Sequence, residues 1–163
     1  MTFHGTFEIA TPEEYFEKIV LRTYLETKEP QNKCSSAAFL IATTFAYHFI
    51  DWRYSSKKSE KKDDGIGMIK RVLDGIATNE EIDYFDVARQ IANGTKHFKR
   101  SDGAPNDDRA KTAVVNPFSD EFTDEFGPTL LIDITRSDGS GTEKVTARDF
   151  LEKLLIFWRG QMP

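Results

Sequence analysis

A chain of 163 residues and 18.6 kDa, 39% hydrophobic and 30% charged, has the length for one domain around one core and the composition of a folded protein. A formal net charge of −5 argues against broad nonspecific binding to duplex nucleic acid, and the single cysteine, Cys34, excludes an internal disulfide framework and makes a reducing, cytoplasmic setting the expectation. No apolar stretch is long enough to cross a bilayer, and the first residues, Met1 to Glu8, lack the cationic and apolar regions of a signal peptide, so no membrane association is expected.

The first element opens at Thr11-Pro12-Glu13-Glu14, which reads as an N-cap, a proline at N1 and two acids in the first turn. Tyr15, Phe16, Ile19, Val20, Leu21, Tyr24 and Leu25 continue at helical spacing until Pro30 stops the helix. A second helix is expected from about Asn32 to Tyr54. It is apolar nearly all round, the pattern of a central helix. The charged run Ser55–Asp64 reads as a solvated loop or a frayed helix end. A third helix is expected over Gly65–Ala77, with Ile66, Ile69, Val72, Leu73 and Ile76 inward. A fourth follows the cap Thr78 and the acids Glu80 and Glu81, and runs towards Phe98.

Lys99–Ala110 is polar with Gly and Pro, so it is expected to be an exposed loop. The texture then turns β-like. Thr112–Val115 is short and β-branched. Thr129–Thr135 alternates in its second half, and Asp138–Gly141 is a turn through which Lys144–Thr146 returns as an antiparallel partner. Thr146 caps a last helix whose apolar face is Phe150, Leu151, Leu154, Leu155, Phe157 and Trp158. The expected fold is mainly α: a four-to-five-helix bundle with a small late antiparallel hairpin or sheet. The expected organisation is one domain over 1–163, with a helical core at about 11–100, a polar loop at 99–110, the hairpin region at about 112–146 and a closing helix at 147–160.

Two polar constellations sit on apolar helices. Residues step by about 100° around a helix, so Ile41, Phe45, His48 and Trp52 share a stripe, with Asp51 one turn from His48. That stripe is expected at or beside the core, with Asp51 partly buried and bonded from another helix. His48 and Asp51 are then either a satisfied structural pair or part of a site in an interhelical groove. In the fourth helix, Tyr84, Val87, Ala88, Ile91, Thr95 and Phe98 form the core face, while Asp86, Arg89, Asn93, Lys96 and His97 gather opposite. If the helix continues through Asn93-Gly94, Arg89, Asn93 and His97 stack on consecutive turns. The set suits phosphoryl chemistry: Arg binds phosphate through its fork, Lys adds a point charge, and His moves a proton near neutral pH. The plainer alternative is a solvated face of an amphipathic helix.

The helical bundle with Arg89, a polar Gln90 beside it and His97 in one late helix resembles the HEPN superfamily. Seven residues separate Arg89 from His97, one more than that family's usual interval. The resemblance covers about residues 11–100. It implies a small α-helical domain, many of whose relatives are metal-independent endoribonucleases of toxin–antitoxin, abortive-infection and CRISPR systems, while others are noncatalytic. It implies Arg89 and His97 as the catalytic pair, with Asn93 and Lys96 in support, Asp51 as the supporting acid and His48 beside it. Neither cofactor nor metal is expected on this reading, and RNA, a cognate protein partner and a homodimer are the implied partners.

A noncatalytic helical interaction module is the first alternative. A second uses metal: His48 and Asp51 at i, i+3, with His97 as a third ligand, loosely resemble DinB-like helical metalloproteins. Cys34 reads as a buried, inert thiol.

Overall fold

The computed structural model describes residues 9–32, 35–54, 66–96, 110–115 and 129–163. Helix α1 comprises three continuous pieces: an α-turn over Pro12–Tyr15, a π segment over Phe16–Leu21 and an α segment over Arg22–Lys28. Helices α2 (Ser36–Arg53), α3 (Ile66–Val72) and α4 (Asn79–Lys96) follow. Strands β1 (Ala110–Val115), β2 (Thr129–Thr135) and β3 (Thr142–Thr146) form one antiparallel sheet in the order β1-β2-β3, and α5 (Ala147–Gly160) closes the chain. The mainly α class with a late antiparallel sheet is as the sequence implies.

Local chemistry sets the helix starts. Thr11 Oγ1 accepts from Glu14 N while Glu14 Oε2 accepts from Ala10 N, and Thr78 and Glu81 repeat that reciprocal box at α4. Thr146 Oγ1 accepts from Asp149 N at α5, and Ser35 caps α2. The third helix ends at Val72, five residues before the expected Ala77, and the chain continues as turns: Leu73 O accepts from both Ile76 N and Ala77 N, and Gly75 turns the chain at φ 70°.

The π segment of α1 has a geometric cause. Phe16, Val20 and Tyr24 are all buried, each four residues from the next. At about 100° per residue a regular α-helix would swing that row steadily off the core. One widened turn takes up the excess and keeps the row inward. Hydrophobic spacing alone reads the same residues as an ordinary helix.

The hairpin forms as expected, with Leu131 opposite Thr146, Asp133 opposite Lys144 and Thr135 opposite Thr142. Thr112–Val115 belongs to β1, which pairs with the other edge of β2, Val114 opposite Leu130. Leu130, Ile132 and Ile134 point into the core, so β2 packs on the helices while its alternate residues face outward. Asp83 of α4 accepts from Ser137 N, which fastens the hairpin turn to α4.

The core centres on Trp158 of α5, which is 0% exposed. Its ring meets Phe49 of α2 and Phe85 of α4 edge-on, each at 5.0 Å, and its Nε1 donates to Ala46 O of α2 at 2.8 Å. The last helix therefore joins α2 to α4. Trp158→Ala should cost about 3–5 kcal/mol, the scale of deleting a large buried aromatic. Urea unfolding at unchanged m checks this, and a loss under about 1 kcal/mol would contradict the central placement of the ring.

Candidate functional site

Helices α2 and α4 pack side by side and carry the two constellations. The stripe Ile41, Phe45, His48, Trp52 is not the core face. Ile41 is 51% exposed and the other three are half-buried, while Phe39, Ala42, Thr43, Ala46, Tyr47, Phe49 and Ile50 turn inward. An almost uniformly apolar helix gives spacing no contrast to work with, so its buried side is chosen by its neighbours. Tyr15 of α1 covers one end of the stripe, stacked on Trp52 at 4.7 Å.

His48 Nδ1 lies 3.2 Å from Asp51 Oδ2. The pair is half-buried at the flank of α2, so Asp51 is partly buried as expected, and its Oδ2 meets His48 on its own helix. Among the described residues no group of three His, Cys, Asp or Glu side chains is placed to hold a metal ion. His97, the third member of the metal set, lies outside the described residues, as do Cys34, His4, the Ser55–Asp64 run and the 99–109 part of the polar loop.

On α4 the structure corrects the expected polar face. The segment from Ile82 to Ala88 is buried on every side, because α2, α3, α5 and the sheet surround it. Asp86, placed by spacing on the solvated side, is 3% exposed. Its Oδ1 accepts from Arg89 Nε at 2.9 Å and Nη2 at 2.8 Å, and its Oδ2 accepts from Gln90 Nε2 at 2.9 Å. A buried carboxylate requires such donors. The helix does continue through Asn93-Gly94 to Lys96, with Asn93 exposed, so Arg89 and Asn93 share a face as expected. The side chain of Lys96 lies outside what is described.

Between the two constellations stands Tyr47 of α2, which the sequence reading passes over. It is within electrostatic reach of Asp51, Arg89 and Asp86. Burial above all, and then the Asp51 charge, push its phenol up to about 12. Tyr15 is pushed up to about 12 by the same two causes in the same order. Tyr47, Asp51, Asp86 and Arg89 therefore form one neighbourhood drawn from two helices. The Asp86 pairing had a readable signal, since Asp, Arg and Gln at i, i+3 and i+4 are facing positions on a helix. Tyr47 had none beyond its place next to His48.

A second polar feature lies away from this groove. At the N-terminal end of α4, a cleft of about 350 Å³ opens between Lys70, Glu80, Asp83, Arg136 and Asp138. Its charges are largely engaged by each other and by neighbours: Glu80 pairs with Lys153, and Arg136 with Glu143. It stitches the hairpin to the helices.

Comparison with family models, with curated proteins and with solved structures finds no match to this chain.

The raised phenols make stability fall at high pH. Unfolded, Tyr15 and Tyr47 release their protons near the ordinary value of 10, whereas the folded protein holds them until about 12. The folded state then binds more protons between those limits, so the contribution is complete below pH 10 and is lost as pH rises to 12. Tyr15→Phe and Tyr47→Phe should each flatten that decline by an amount on the order of 1–2 kcal/mol. Urea unfolding from pH 9 upward checks it; an equally steep decline in both variants would contradict the assignment.

Proposed function

We propose that the groove between α2 and α4 is the working site of a HEPN-like protein of a bacterial or phage defence or toxin–antitoxin locus, directed at the phosphate of RNA and cleaving it without metal. One observation carries this reading: α2 and α4 pack side by side, and Tyr47 of α2 is within electrostatic reach both of Asp51 and of the Asp86–Arg89 pair, which lie far apart in sequence. Asp86 fixes the guanidinium of Arg89 through Nε and Nη2, which holds its plane in advance of any ligand. In the proposed reaction Arg89 holds the scissile phosphate and offsets its developing charge. His97 takes the proton of the attacking 2′-hydroxyl or returns one to the departing 5′-oxygen, leaving a 2′,3′-cyclic phosphate. Asn93 and Lys96 position the backbone, with His48 and Asp51 flanking the groove. A homodimer would supply two such motifs to one cleft, and a cytoplasmic setting suits the single cysteine.

A noncatalytic interaction module is favoured by a different observation. The Arg89 charge is already matched by the buried Asp86 carboxylate, and with Asp51 the described groove side chains hold two acids to one guanidinium. The phosphate reading therefore depends on the further positive charge of Lys96. The solvent-facing Ile41 stripe would serve a cognate protein partner on this second reading.

The separating experiment incubates purified protein with mixed cellular RNA in chelator. The proposal expects cleavage, with Arg89→Ala and His97→Ala each losing roughly 10²–10⁴ in rate, the scale of a lost general acid–base, while circular dichroism stays native. Intact RNA with the wild-type protein would remove the nuclease reading. Activity restored only by added metal, and lost equally in His48→Ala, would favour the metal set of His48, Asp51 and His97 instead.

A further inference from the structure

We infer that the cleft at the N-terminal end of α4 binds a free α-amino acid, with the ligand's ammonium on the Asp83 carboxylate and its carboxylate on Arg136 and Lys70. The inference does not depend on the phosphate reading of the α2–α4 groove.

The starting observation is an acceptor and a donor in one cavity, both short of partners. Asp83 is 6% exposed, yet its donor among the described residues is Ser137 N alone, shared at 3.3 Å by both carboxylate oxygens. That is long for such a bond, and a carboxylate can accept about four. Arg136 engages Glu143 through Nη2, while its Nη1 is closed off from water and has no partner among the described residues. Both residues line the cleft. Their places interlock: Asp83 holds the N–H of the residue after Arg136, and the Arg136 guanidinium lies 5.8 Å from the ring centre of Tyr84, the residue after Asp83. They do not pair with each other, since the acids that Arg136 meets are Glu143 and, at 3.7 Å, Glu80. Polar groups enclosed in this way normally find partners, because leaving them short is destabilising.

The remaining charges indicate the ligand. Glu80 is taken by Lys153, and Asp138 accepts from Ser140 N at 2.8 Å. Lys70 lines the cleft, is exposed, and has no partner among the described residues. What stays uncommitted is one carboxylate, one guanidinium N–H and one ammonium. A metal ion would serve neither cation, and among the described residues no three acids or imidazoles are placed to hold one. A simple anion would leave Asp83 short of donors, and a simple cation would leave Arg136 short of an acceptor. A molecule with an ammonium and a carboxylate on one carbon serves both at once. The first turn of α4 favours the same arrangement: Asn79 and Glu80 line the cleft, and their backbone N–H groups precede any intrahelical acceptor. The size fits as well. A volume of about 350 Å³ is on the order of ten waters, more than a single bridging water needs. Arg136 reaches the ligand by turning its flexible end, which brings Nη1 out of its closed place.

The test offers the full chain each of the twenty common amino acids in excess, follows thermal melting, and measures the Kd of the best one by calorimetry. The same measurements use its N-acetyl form, which lacks the ammonium, and its amide, which lacks the carboxylate. Asp83→Asn and Lys70→Gln are compared with wild type; Lys70 is exposed, so its replacement leaves the core untouched. The proposal expects a saturable rise in Tm, with binding weakened roughly tenfold by blocking either end of the ligand or by Asp83→Asn, and severalfold by Lys70→Gln. No saturable rise from any amino acid would overturn it and leave water as the occupant of the cleft. Equal binding of the N-acetyl form or of the amide would overturn it too, as would unchanged binding in either variant.

Discussion

The indole of Trp158 is where the two halves of the chain meet. Its Nε1–H bond to Ala46 O and its edge contact with Phe85 fix two helices that do not adjoin in sequence. The positions it grips are informative. Ala46 precedes Tyr47, and Phe85 precedes Asp86. The ring therefore holds α2 and α4 at the residues next in sequence to Tyr47 and Asp86. A buried aromatic with a satisfied N–H fixes both distance and rotation, which aliphatic packing does loosely. The groove's geometry is in this sense a consequence of the last helix.

Around that pin the charges are economical. Asp86 is buried, but it has a guanidinium and an amide as donors, so its charge is tolerated inside the bundle. The same pairing has two functional meanings. It orients Arg89 for a ligand, and it cancels part of the attraction that would draw an anion in. A phosphate site of this kind would work by arrangement of donors more than by net positive potential.

Much of the fold was legible because its signals are local. Thr11, Thr78 and Thr146 announce helix starts through their own spacing to an acid, and Asp138-Gly139 announces the hairpin. What was not legible depended on partners distant in sequence. The face of α2 could not be read, since Ile41 and Phe49 are equally apolar and only packing against Trp158 and Phe16 decides which is buried. The amphipathic pattern of α4 misplaced Asp86, because a charged residue is assumed to face water until its intrahelical partners are known. The π turn of α1 was hidden in a row of residues that looked regular. At the site, the Arg89–Asn93 alignment was visible from helical periodicity, while Tyr47 was visible only once α4 was placed beside it.

The claim on which all of this depends is that Trp158 is sealed at the junction of α2, α4 and α5. The protein has two tryptophans, and the other, Trp52, is half-buried on the flank of α2. Trp52→Phe leaves Trp158 as the single indole, so its emission reports that junction alone. The account predicts blue-shifted native fluorescence that acrylamide barely quenches, turning red-shifted and quenchable in one step with urea unfolding. Red-shifted, readily quenched emission from the native Trp52→Phe protein would contradict it.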